Sequence, residues 1–217
     1  MRDATKTAVI LDLDGTLWDA TEAMCAVWNG VLSREADISF RFTVERVRSL
    51  MGKTFETMAA EVFPDLPPVR RNALLRACAD AELPALREHG GGKLYEGVEE
   101  TLRTLSREHL LMIVSNCQEG YVRTFLDVCR LGAYFADYQE SGDSGRTKGE
   151  NLRRILERSR VERALYVGDT QGDADAARQA GLPFLFAAYG FGACSRPDGV
   201  LARFQDLPRL ADALLNA

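Results

Sequence analysis

A chain of 217 residues can bury an extended apolar interior, which excludes a small fold held together by disulfides or a stapling metal. Its 27 Lys and Arg against 32 Asp and Glu give a formal net charge of -5 without a dense basic run, so neither nucleic acid nor an anionic membrane is indicated as a partner. Five scattered cysteines with no C-x-x-C pair, no leader-like apolar segment with a cleavage site and no bilayer-length run are read as signs of a protein of the reducing cytoplasm.

Along the chain, Ala8 to Leu11 is a short apolar run that stops at Asp12, the pattern of a strand buried on both faces. Asp12-Leu13-Asp14-Gly15-Thr16 follows. Two carboxylates this close repel when both are ionised, so the pair favours a cation between them or a shared proton. Gly15 lets the chain turn and bring both toward one centre. An ordinary turn or helix cap reads equally well from these residues alone.

From Leu17 to about Gly90 the pattern is helix after helix. Its apolar stripes are Ala20, Met24, Val27 and Val31; then Val44, Val47 and Leu50; then Met58, Val62 and Phe63; then Leu74, Leu75 and Cys78. The chain returns through His89-Gly90-Gly91-Gly92-Lys93, where a glycine triplet suits a hinge. Helical spacing resumes at Val98, Leu102 and Leu105.

A second strand-like run, Leu110 to Val114, ends at Ser115-Asn116, with Gln118-Glu119 expected to open the next helix. A hydroxyl and free backbone N–H groups at a helix start suit phosphate, and the same geometry serves a simple N-cap. Lys148 opens another amphipathic helix after a glycine-containing loop, with Arg146 as the competing cation. A third run, Ala164 to Val167, ends at Gly168-Asp169, with Asp173 on the helix that follows. Asp169 and Asp173 add oxygen donors of the kind Mg²⁺ prefers, and no nearby nitrogen or sulfur donor suggests zinc.

Strands alternating with amphipathic helices predict an α/β fold, a Rossmann-like parallel sheet with helices on both faces. Residues 1–17 and 90–217 are expected to form this core, and 18–89 a small all-helical cap domain inserted after the first strand. In such sheets ligands bind at the carboxyl ends of the strands, where all three polar clusters fall.

These clusters, in this order, resemble the four motifs of the haloacid dehalogenase superfamily: D-x-D-G-T at Asp12 and Asp14, Ser115-Asn116, Lys148, and G-D-x-x-x-D at Asp169 and Asp173. The helical insertion resembles the C1 cap of its phosphoglycolate phosphatase and β-phosphoglucomutase branch. The resemblance implies a Mg²⁺-dependent phosphatase acting on a small phosphorylated metabolite. In it Asp12 is the nucleophile that forms an aspartyl-phosphate, Asp14 the acid and base, and Thr16 a residue of the phosphate site that also orients Asp14. The metal is held by Asp12, the Asp14 carbonyl and Asp169, with Asp173 in support, and phosphoryl oxygens by Ser115, Asn116 and Lys148.

Two departures stand out: Lys148-Gly149 where this branch often has Lys-Pro, and Trp18 in place of a smaller residue. Met51-Gly52-Lys53-Thr54 falls where capped relatives place a specificity loop, so Lys53 is read either as a surface lysine or as a contact to an anionic substrate tail. A β-phosphoglucomutase-type phosphomutase shares every motif, and a phosphate-binding regulator could use the same fold.

Overall fold

The computed structural model describes residues 6–216; residues 1–5 and 217, assigned above to the core, lie outside the described residues. In chain order the elements are β1 (Thr7–Leu11), β2 (Trp18–Asp19), α1 (Thr21–Leu32), α2 (Val44–Arg48), α3 (Phe55–Val62), α4 (Pro68–His89), β3 (Lys93–Leu94), α5 (Val98–Leu105), β4 (Leu110–Ser115) and α6 (Tyr121–Cys129). They continue as β5 (Phe135–Glu140), α7 (Ser141–Ser144), α8 (Lys148–Ser159), β6 (Arg163–Gly168), α9 (Gln171–Ala180), β7 (Phe184–Ala187), β8 (Gly199–Leu201) and α10 (Leu207–Leu215).

β1 has apolar side chains on both faces because it lies at the centre of a parallel sheet. Six of the eight strands among the described residues form one sheet in the order β5-β4-β1-β6-β7-β8, in which every paired neighbour is parallel. Val9 and Leu11 pack into one apolar cluster with Leu102, Phe125 and Leu207 of α5, α6 and α10, whereas Ala8 and Ile10 pack into another with Leu152 and Ile155 of α8 and Ala177 of α9. Helices therefore cover both faces, as the alternating pattern predicts. Leu11, the last residue of β1, is level with Ile113 of β4 and Val167 of β6, and those two strands run on to Ser115 and Gly168. The order also reverses at β1, which opens a crevice there.

The sequence reading names three strands of this sheet and misses β5, β7 and β8. β5 reads Phe-Ala-Asp-Tyr-Gln-Glu and lies at an edge, paired on one side only, so it needs no apolar run. β7 and β8 are four and three residues long, too short for periodicity to register.

The helices α1 to α4 follow β1. Trp28 of α1 meets Phe42 edge-on at 4.8 Å between ring centres, and both join an apolar cluster with Leu74 and Cys78 of α4. β2 and β3, the segments entering and leaving this helical group, pair antiparallel through Trp18 with Leu94 and Asp19 with Lys93. The glycines before β3 serve close packing: a Cβ at Gly92 would stand 2.6 Å from the Asp19 carbonyl, and one at Gly91 2.9 Å from the Trp18 ring. Among the described residues, no helix is long and apolar enough to cross a membrane.

Candidate active site

The neighbouring carboxyl ends of β1, β4 and β6 deliver the polar residues to one place. Asp12 continues β1 by one more pairing, its N–H donating to the Val167 carbonyl at 2.8 Å. Lys148 is brought in by a capping box, in which Thr147 accepts from the Glu150 N–H and Glu150 accepts from the Thr147 N–H, fixing where α8 starts. Its ammonium donates to Asp12 Oδ1 at 2.9 Å and to Asp173 Oδ1 at 2.6 Å, all three side chains being buried. Of the two competing cations it is Lys148 that meets the carboxylates. Arg146 is exposed and bonds back to the Ser144 carbonyl. Gly149, in the position of the family's proline, leaves room for Gln179, whose Cδ would stand 2.7 Å from a Cβ there.

Asp173 is fully committed. Its Oδ1 accepts from Lys148 and from the Tyr166 hydroxyl at 3.2 Å, while its Oδ2 caps α9 by accepting from the Thr170 N–H at 3.0 Å and hydroxyl at 2.6 Å. Asp169 differs. Its Oδ2 accepts from the Phe191 N–H at 2.7 Å, but its Oδ1 is buried without a hydrogen-bond partner among the described residues. Gly15 and Gly190 press on this carboxylate, so that a Cβ on either would stand 2.6 Å from one of its atoms. Gly15 also has φ +84°, which glycine adopts without strain.

Carboxylate oxygens of Asp12, Asp169 and Asp173 lie within 4.8 Å of one another. Burial and the neighbouring Asp12 and Asp173 charges push Asp169 up to about 8. Asp12 rises to about 6 through burial, which outweighs the nearby Lys148. Burial works against the charged form of Lys148, yet Asp12 and Asp173 together hold its pKa above the usual range. One ammonium cannot neutralise three carboxylates. An all-oxygen donor set with a buried carboxylate oxygen lacking any donor fits a hard divalent cation such as Mg²⁺.

Asp14 is partly exposed and points elsewhere. Its Oδ1 accepts from Trp18 Nε1 at 2.9 Å and from the Tyr121 hydroxyl at 3.0 Å. Burial and the Asp12 charge raise it to about 7. The expectation that Thr16 orients Asp14 is corrected: the Thr16 hydroxyl is buried with no partner among the described residues, and its carbonyl accepts from Tyr189. Trp18 and Tyr121 take that role, and neither was singled out for it in the sequence. Trp18 had one available signal, since it follows Asp14 by four residues. It also packs edge-on against Tyr121 and Phe125, at 5.9 and 5.0 Å between ring centres.

The second cluster is also revised. α6 begins at Tyr121 rather than at Gln118, and its N-terminus is filled by the Glu140 carboxylate, which accepts from the Gly120 N–H at 2.9 Å and the Val122 N–H at 2.5 Å. The helix start is therefore no open phosphate site. Ser115 remains buried at the end of β4, its hydroxyl accepting from the Cys117 N–H at 3.3 Å. Asn116 spans outward, donating to the Gly52 carbonyl at 2.8 Å and accepting from Ser141. The Met51 to Thr54 loop therefore does reach the core. Lys53 is partly exposed, and its ammonium pairs with both carboxylate oxygens of Glu61 at 2.8 and 2.7 Å.

A model of the family described as haloacid dehalogenase-like hydrolase matches residues 9–187. The chain is 29% identical over 202 residues to a phosphoglycolate phosphatase of Rhodobacter capsulatus, covering 85% of each. It is 28% identical over 218 residues to a phosphoglycolate phosphatase of Aquifex aeolicus, covering 94% of this chain and 96% of that one. The crystal structure of CbbY from Rhodobacter sphaeroides in complex with phosphate superposes with a TM-score of 0.78 at 21% identity, covering 98% and 100% of the two chains.

Proposed function

Because the chain belongs to the haloacid dehalogenase-like hydrolase family, we propose that it is a Mg²⁺-dependent phosphatase that hydrolyses a small organic phosphomonoester through an aspartyl-phosphate on Asp12. The observation that carries the reading is the buried trio of Asp12, Asp169 and Asp173, with the Lys148 ammonium bonded to two of them, beside a separately oriented Asp14. The relatives named phosphoglycolate phosphatase support the phosphatase class and make phosphoglycolate a first substrate to try.

In this reading an Asp12 oxygen bonds to phosphorus as the ester P–O bond breaks. Lys148 holds Asp12 ionised and aimed, since its ammonium is fixed from the other side by Asp173. Asp14, held by Trp18 and Tyr121, gives its proton to the departing alkoxide, and an environment that raises it to about 7 keeps that proton available near neutrality. It then takes a proton from the water that cleaves the aspartyl-phosphate. Ser115 and the Asn116 backbone hold phosphoryl oxygens. Asp12 and Asp169, with the Asp14 carbonyl, would hold Mg²⁺, and Asp173 would support them through Lys148. When bound, the metal neutralises phosphoryl charge in the transition state.

The test is phosphate release from a panel of phosphomonoesters with and without Mg²⁺, with Asp12→Asn as control. Wild type is expected to turn over only with Mg²⁺, and Asp12→Asn to fall to background. Equal rates for the two proteins, or a rate indifferent to Mg²⁺, would sink the proposal.

A further inference from the structure

α4 buries Leu74, Leu75, Cys78 and Leu86 on its inner face, and among them Glu82, only 4% exposed. A carboxylate in that row is costly unless both oxygens are satisfied. Oε1 accepts from Trp28 Nε1 of α1, and Oε2 accepts from Gln118 Nε2 at 2.9 Å. Both partners are neutral donors. Each Glu82 oxygen thus accepts from a donor on a different element, α1 on one side and the segment after β4 on the other.

Gln118 belongs to the core, three residues past Ser115. The same Nε2 also donates to the Ala79 carbonyl of α4 at 2.7 Å. Two residues earlier, Asn116 donates to the Gly52 carbonyl at 2.8 Å. The short segment after β4 is thus tied to the helical insertion at two separate places, and at its far end a Cβ on Gly120 would stand 3.4 Å from Leu83. This segment also carries the groups assigned above to the phosphoryl oxygens.

We propose that Gln118, held by Glu82 and the Ala79 carbonyl, is a positioning residue that sets the phosphoryl-holding segment at Ser115–Asn116 only when the helical insertion is seated on the core. The inference rests on the phosphatase reading, since it assigns Gln118 an effect on phosphate affinity without contact to phosphate. Seating of the insertion and capture of the phosphoryl group then become one event. Substrate that fills the insertion tightens its own phosphate site.

The probe is inorganic phosphate as a competitive inhibitor, measured on full-length protein with Mg²⁺ for wild type, Gln118→Met, Glu82→Met and the double variant, each with its urea midpoint. Gln118→Met is expected to weaken phosphate roughly tenfold and, because it strands one buried Glu82 oxygen, to lower the urea midpoint while leaving the protein folded under assay conditions. Glu82→Met is expected to weaken phosphate similarly, and the double variant no further than the worse single one, the non-additive pattern of one linked unit. An inhibition constant unchanged in Gln118→Met, or independent effects that multiply in the double variant, overturns the inference while leaving the phosphatase reading intact. A wild type that neither releases phosphate from any ester nor binds inorganic phosphate overturns both.

Discussion

Replacing Lys148 by Met removes the only cation bonded to Asp12 and Asp173 among the described residues, and the cost can be worked from the geometry. The three side chains are 5%, 4% and 0% exposed, with N–O distances of 2.9 and 2.6 Å. At an effective dielectric near 20, each contact is worth about 6 kcal/mol before desolvation. Desolvation removes several kcal/mol per ion, and deleting one member of such a buried set costs roughly 3–5 kcal/mol because the others are left charged and unpaired. That is a large share of the roughly 5–15 kcal/mol that holds a domain folded. Urea unfolding in a chelator at pH 8, wild type against Lys148→Met, measures it.

The pH dependence carries a sign. Asp12 already has a folded value of about 6 against an ordinary 3.8, and Lys148 is the main influence lowering it. Without that influence it rises further, so the folded variant holds a proton at pH values where the unfolded chain has lost it. The unfolded value is common to both proteins, so the deficit relative to wild type is greatest above the variant's folded value and shrinks as the pH falls toward the wild-type value of about 6. A loss below about 1 kcal/mol at pH 8, or a gap that widens between pH 8 and pH 5.5, would refute the account of the buried cluster.

Gly15→Ala places a Cβ against the Asp169 carboxylate at φ +84°, so it should cost about 1–3 kcal/mol in a thermal melt and raise the Mg²⁺ concentration needed for activity; an unchanged Mg²⁺ titration would contradict the placement of Asp169. Lys53→Ala breaks a half-exposed pair with Glu61 and should change stability by no more than about 1 kcal/mol, with KM for an anionic ester within twofold of wild type. A tenfold rise in KM would return Lys53 to the substrate site. Chelation should abolish phosphate release and Mg²⁺ restore it. Saturating Mg²⁺ should also raise the melting temperature of wild type more than that of Asp169→Asn, since a ligand at 100 times its Kd adds about 2.7 kcal/mol; equal shifts would place the metal elsewhere.

Short-range chemistry made much of this protein legible from sequence. Apolar runs ending at Asp12, Ser115 and Asp169 mark buried strands and the polar residues at their ends, because burial on both faces requires uninterrupted apolar side chains. Stripes at helical spacing likewise mark the insertion between Leu17 and Gly90, and a start at Lys148 follows from Thr147 and Glu150, three residues apart. The edge strand β5 left no such trace, because pairing on one side relaxes the demand for apolar residues.

Partnerships across the chain were decided only by the tertiary structure. Asp14 is oriented by Tyr121, 107 residues away, rather than by its neighbour Thr16. Lys148 rather than Arg146 reaches the carboxylates, Glu140 closes the start of α6, and Lys53 pairs with Glu61. Each outcome depends on which strand ends stand level and which helix faces meet. A hydrogen bond is decided within a few tenths of an ångström, whereas residue type and spacing constrain position only to a face or a turn. The four clusters and their order were therefore set by local sequence, and the particular atoms that meet were set by packing.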